Sequence, residues 1–158
     1  MRVIEGSGSA AGVRVALVVS RYHDFITDRL QAGALAALTT AGADTNDLTV
    51  IRVPGAFEIP LAAHRAAACG RYDAVICLGC IVRGETPHFE YLASAVSRAL
   101  AAAAVDTGVP VTFGVLTTNS IEEAIGRAGE GSANKGWEAA VAAIEMVAIA
   151  AQLPRRGS

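Results

Sequence analysis

Aromatic residues are scarce in this chain, at 5%, and charged residues make up only 18%, against about 25% in ordinary globular domains. The first shortage leaves burial to Ala, Val, Leu and Ile. The second leaves little charge to keep an isolated subunit in water. Neither sign of charge dominates. The formal net charge is −2, so there is no basic field to attract nucleic acid. Cysteines number three; an odd count, with no N-x-S/T acceptor, argues against a secreted disulfide scaffold. A membrane span needs about 20 mostly apolar residues. The best candidate, "AAVAAIEMVAIAAQL" at 139–153, is shorter and is broken by Glu145. The opening "MRVIEGSGSA" has no apolar signal core. A mean hydropathy of +0.42 therefore points to a cytoplasmic oligomer that buries surface against copies of itself.

What is present is alternation. Apolar, β-branched runs bounded by turn residues occur at 13–20 ("VRVALVVS"), 48–54 ("LTVIRVP"), 73–82 ("DAVICLGCIV") and 111–116 ("VTFGVL"). Most are apolar on both faces, as buried parallel strands are. Helical stretches are expected near 23–41, 56–69, 87–106, 120–127 and 134–152. Such a pattern builds right-handed βαβ units. The expectation is one domain, 1–158, folded as a three-layer α/β/α sandwich around a central four-stranded parallel sheet. "RVIEG" at 2–6 reads as a short extra strand at an edge, its own or a neighbour's. The closing "PRRGS" reads as a solvated tail.

Ligands of open parallel sheets bind beyond the carboxyl ends of the strands. That selects Ser20 to His23, Pro54 to Glu58, Cys80 to His88 and Phe113 to Asn119. Within them, Cys77 and Cys80 have the spacing of a redox pair or half a zinc site. On a strand, however, residues i and i+3 face opposite ways, with Cα atoms roughly 10 Å apart. A disulfide needs less than about 7 Å, and zinc needs two further ligands that no second C-x-x-C supplies. Both cysteines are read as buried apolar residues. "GSGSAAG" at 6–12 precedes a strand instead of following one, so it is no dinucleotide fingerprint. "GEGSANKG" at 129–136 lacks the P-loop pattern and reads as a connection, with Asn134 or Ser132 as helix cap.

"RGETPH" at 83–88 is the richer segment. Gly84 permits close backbone approach, Thr86 suits an N-cap and Pro87 the first helical position. The free N–H groups of that helix start would form an anion site, with Glu85 compatible only if its side chain turns away. His88 in the first turn is either a proton shuttle near neutral pH or a solvated helix-start residue. Glu58 is a helix-start carboxylate favoured by the dipole or an acceptor for ligand hydroxyls. Tyr22 is a stacking plate or a packed surface ring. His23 reads as a cap or loop residue and His64 as structural. Arg127 is a helix C-terminal cation or an anion ligand.

Together, "SRYHDFIT", "VPGAFEIP", "LGCIVRGETPHFEY", "FGVLTTN" and "RAGEGSANKG" resemble, in order and spacing, the signatures of the lumazine synthase (6,7-dimethyl-8-ribityllumazine synthase) family. The resemblance covers nearly the whole chain and implies a flavodoxin-like topology. It implies a transferase that condenses 5-amino-6-(D-ribitylamino)uracil with 3,4-dihydroxy-2-butanone 4-phosphate, with no metal or redox cofactor. By resemblance His88 is the catalytic proton-transfer residue. Tyr22, where the family usually has Phe or Trp, stacks on the pyrimidine. Ala56, Phe57 and Glu58 bind the ribityl chain and ring, and Cys80, Ile81 and Val82 contact the pyrimidine edge. Gly84, Glu85 and Thr86 cradle phosphate. Phe113 and the phosphate-gripping Arg127 come from the adjacent subunit. Lys135 resembles a second cation near the site, and His23 stands where the family often has Asn. The family forms homo-pentamers, and some members close pentamers into an icosahedral capsid; the short "GEGSANKG" connection is similar to that of shell formers. A riboflavin synthase of archaeal type and a lumazine-binding shell protein without catalysis are the alternatives.

Overall fold

Two strands of the computed structural model, which describes residues 1–154, are buried along nearly their whole length. They are β1 (Val15–Ser20) and β3 (Ala74–Val82). They lie at the centre of a four-stranded parallel sheet, flanked by β2 (Leu48–Val53) and β4 (Val111–Thr118) in the order β2-β1-β3-β4. Successive side chains on a strand point to opposite faces, so an all-apolar strand feeds two cores at once. Val15, Leu17, Val19, Ile76 and Leu78 face one core, and Ala16, Val18, Val75 and Cys77 face the other. The first core is closed by α1 (Asp24–Thr40) and α5 (Lys135–Gln152), packed on each other. The second is closed by α2 (Ile59–Ala68) and α3 (His88–Thr107). A short α4 (Ile121–Arg127) precedes the last connection. This is the expected α/β/α sandwich, with flavodoxin-like topology.

The differences have local causes. β2 is exposed at Thr49, Val50 and Arg52, because it is an edge strand and not one covered on both faces. β4 runs two residues past its apolar stretch, since Ile81 and Val82 of β3 pair with Thr117 and Thr118. Pro87 is the N-cap of α3 and His88 its first residue, so the helix starts one position later than expected and Thr86 makes no capping bond. Residues 2–6 join no strand of this sheet; they lie on α5, where the Gln152 side chain donates to the Glu5 carbonyl at 3.0 Å. His64 is exposed on α2, so it holds no part of the core. Of the expected solvated tail, residues 155–158 lie outside the described residues. No helix among the described residues is long and apolar enough to cross a membrane.

The seam between α1 and α5 holds the last connection in place. Asn134, 2% exposed, caps α5 by accepting from Gly136 N–H at 2.8 Å and Trp137 N–H at 3.2 Å. Its amide donates to the Arg29 and Gly129 carbonyls at 3.1 and 2.7 Å. One buried side chain thus caps α5 and ties the connection between Arg127 at the end of α4 and Lys135 at the start of α5 to helix α1.

Candidate active site

The four carboxyl ends of the strands open on one edge, and the loops leaving β1, β2 and β3 wall a cavity of about 620 Å³. Its lining includes Tyr22, His23, Ala56, Phe57, Glu58, Cys80, Ile81, Val82, Gly84, Thr86 and His88. That size suits a small organic ligand. Two bonds tie the first two loops together: Arg21 N–H donates to the Val53 carbonyl at 2.8 Å, and Tyr22 N–H to the Pro54 carbonyl at 3.1 Å. They bring Tyr22 and Phe57, both 68% exposed, to the same rim. Large aromatic faces left bare at a cavity mouth are suited to stack on a flat ring.

His23 is the N-cap of α1 and, among the described residues, the one non-glycine residue with positive φ (φ 58, ψ 47). His is more tolerant of this region than most residues, yet the conformation still costs free energy. Its carbonyl accepts from Ile26 and Thr27 N–H, which turns the chain sharply into the helix. Partial burial lowers the proton affinity of its ring, which favours a neutral hydrogen-bonding group over a cation. Glu58 is the N-cap residue of α2, so its carboxylate sits where the helix dipole favours negative charge. His88 is the first residue of α3 and is exposed.

The cysteine pair divides as strand geometry requires. Cys77 belongs to the core under α2 and α3, and Cys80, 3% exposed, to the core under α1 and α5. Burial pushes both thiols up, Cys80 to about 11. Neither is a thiolate near neutral pH, and Cys80 contributes cavity wall.

Three of the expected residues are elsewhere. Phe113, Arg127 and Lys135 line a second concavity of about 360 Å³ along β4, the open edge of the sheet. Phe113 is 47% exposed there. Lys135 pairs with Glu138 at 2.5 Å, and Arg127 is the last residue of α4. Glu85 is exposed and does not line the larger cavity, unlike Gly84 and Thr86 on either side of it. Gly55, within the selected segment Pro54 to Glu58, lines the first cavity, and sequence reasoning missed Phe89, Leu92 and Ile121, which complete its lining. For Leu92 a signal existed: it lies four residues after His88 on one helix, and i, i+4 residues share a face.

Fold and cavity together define the class, an α/β protein with a small-molecule site at the carboxyl edge of a parallel sheet. Comparison with known proteins narrows it. The family model for 6,7-dimethyl-8-ribityllumazine synthase matches residues 12–151. A protein of Syntrophus aciditrophicus (strain SB) with that name is 55% identical over 151 residues, 96% of this chain and 98% of its own. A second of the same name, from Desulfatibacillum aliphaticivorans, is 52% identical over 151 residues, 96% and 97% of the two chains. The chain belongs to the 6,7-dimethyl-8-ribityllumazine synthase family.

Proposed function

We propose that the chain condenses 5-amino-6-(D-ribitylamino)uracil with 3,4-dihydroxy-2-butanone 4-phosphate to 6,7-dimethyl-8-ribityllumazine, releasing phosphate and water, in the cytoplasm. This is the penultimate step of riboflavin biosynthesis. The observation that carries the reading is the position of His88, on the first turn of α3, in the wall of a cavity rimmed by Tyr22 and Phe57. In this scheme Tyr22 stacks on the pyrimidine. Glu58, with the backbone of Ala56 and Phe57, receives the ribityl hydroxyls. The strand backbone at Cys80, Ile81 and Val82 meets the pyrimidine edge. Gly84, Glu85 and Thr86, with the free N–H groups of the α3 start, hold the phosphate. His88 relays protons as the imine forms and phosphate leaves. Much of the acceleration comes from holding two small molecules in register.

Phe113, Arg127 and Lys135 serve the site of a neighbouring copy in this scheme. Their support is that they line the outer edge strand of the same chain, apart from its own His88 cavity. Arg127 grips phosphate there through charge-assisted hydrogen bonds. We take the assembly as a homo-pentamer, closed further into an icosahedral shell, with residues 2–6 leaving α5 to add to a neighbour's sheet. Metal and redox cofactors have no part in the scheme.

The test is direct. Pure protein in chelator, given both substrates, is expected to raise lumazine absorbance and fluorescence far above the spontaneous rate. A rate equal to the spontaneous one contradicts the enzyme reading and leaves a lumazine-binding shell protein. Riboflavin formed from lumazine alone would make the chain a riboflavin synthase of archaeal type.

A further inference from the structure

Arg83 is the first residue after β3, and its guanidinium reaches three neighbours at once. Its Nε donates to Asn119 Oδ1 at 2.9 Å. Its Nη1 pairs with the Glu90 carboxylate. Its Cζ lies 4.5 Å from the centroid of the Phe89 ring. Its own N–H donates to the Thr118 carbonyl at 2.8 Å, where β3 and β4 end together. Glu90 and Phe89 directly follow His88 in the first turn of α3, and Phe89 lines the His88 cavity.

Asn119 is itself fixed. Its N–H donates to Glu123 Oε2 at 3.1 Å, and Glu123 N–H donates to Ser120 Oγ at 3.2 Å, the N-cap bond at the start of α4. A rigid helix start therefore holds Asn119, Asn119 holds Arg83, and Arg83 holds the turn that carries His88.

We propose that Arg83 is a positioning residue, which sets the imidazole of His88 by clamping the α3 start to the carboxyl ends of β3 and β4. The inference rests on the reading of His88 as the proton carrier. A planar fork that also stacks on a ring defines both distance and orientation; a point charge defines neither. Glu90 occupies one arm of the guanidinium. The Glu90 carboxyl is held below its ordinary range, first by its own backbone N–H and then by Arg83, so it stays ionised as the partner. With its fork engaged on Glu90 and Asn119, Arg83 acts on the reaction through the helix start and not as a phosphate ligand.

Two measurements test this on the full-length protein. In the first, the ring-proton NMR resonances of His23, His64 and His88 are compared between wild type and Arg83→Gln. The His88 resonance is expected to move while the remote His64 resonance stays; an unmoved His88 overturns the proposal, whether or not the protein turns over substrate. In the second, Arg83→Gln is expected to lower kcat about tenfold, with KM for both substrates within about 2-fold. In a His88→Ala background the same substitution is expected to change kcat less than about 2-fold, because both act through one group. Arg83→Lys is expected not to restore kcat. The full loss persisting without His88, rescue by Lys, or a raised KM for the phosphate substrate at unchanged kcat would each overturn it. An inactive wild type with a shifted His88 resonance would sink the enzymatic reading and leave the clamp standing.

Discussion

Replacing His88 with Ala is expected to lower kcat about 10²-fold, at the lower end of what a positioned acid–base group contributes. KM for the pyrimidine substrate is expected to stay within about 2-fold. The split follows from the layout of the cavity. Tyr22, Phe57 and Glu58, which would hold the pyrimidine and its ribityl chain, leave β1 and β2, whereas His88 leaves β3. Removing the imidazole takes away the relay and leaves the platform. The residual rate is expected to stay above the spontaneous one, because bringing the two reactants together is a large share of the acceleration. Steady-state kinetics with each substrate varied in turn checks this. A KM that rises by the same factor as kcat/KM falls, at unchanged kcat, would make His88 a binding group only.

Gly136→Ala is expected to destabilise the fold by about 3 kcal/mol or more, since overpacking of a closed contact costs this much when backbone is the obstacle. A Cβ at Gly136 would lie 2.0 Å from the Leu30 carbonyl oxygen and 2.9 Å from Asn134 Oδ1. Side chains can rotate away from such a clash, but a backbone carbonyl within α1 cannot. The helices would have to separate, and the Asn134 cap with its four hydrogen bonds would go with them. A fall of about 10 °C in melting temperature is the expected readout for a chain of this length. Gly126→Ala is the control. It lies in α4 with nothing near its added Cβ, so it is expected to be neutral or to stabilise by up to about 1 kcal/mol. Equal effects of the two substitutions would contradict the close α1–α5 seam.

The central strands were legible because β1 and β3 are apolar at nearly every position, which only a strand covered on both faces requires. The edges were less so. The polar ends of β4 and β2 pair because of their neighbours' register, and register between distant segments is not written in either segment alone. The start of α3 shifted by one residue because Thr86 and Pro87 both suit helix starts and the backbone decides between them. The left-handed His23 carries only a weak local mark, since histidine is enriched at positive φ but still adopts it rarely.

The site followed a similar division. The rule that ligands sit beyond the strands' carboxyl ends located the loops that line the cavity. It does not say which face of α3 or α4 turns inward, so Phe89, Leu92 and Ile121 were missed. Nor does it show that Arg83 reaches Asn119, 36 positions away. Likewise, nothing local in Phe113, Arg127 or Lys135 says which copy's cavity they serve.

In the proposed scheme the proton carrier, His88, and the phosphate grip, Arg127, come from two copies of one chain. Mixing two variants tests it. His88→Ala and Arg127→Ala chains are unfolded together, refolded in equal amounts, and assayed beside each variant refolded alone. At a head-to-tail interface, roughly a quarter of the sites would pair an intact His88 with an intact Arg127 from the neighbour. A site shared between copies is expected to give activity approaching that fraction of wild type, well above either variant alone. Activity equal to the average of the two variants would contradict it, and would put both residues in the site of a single chain.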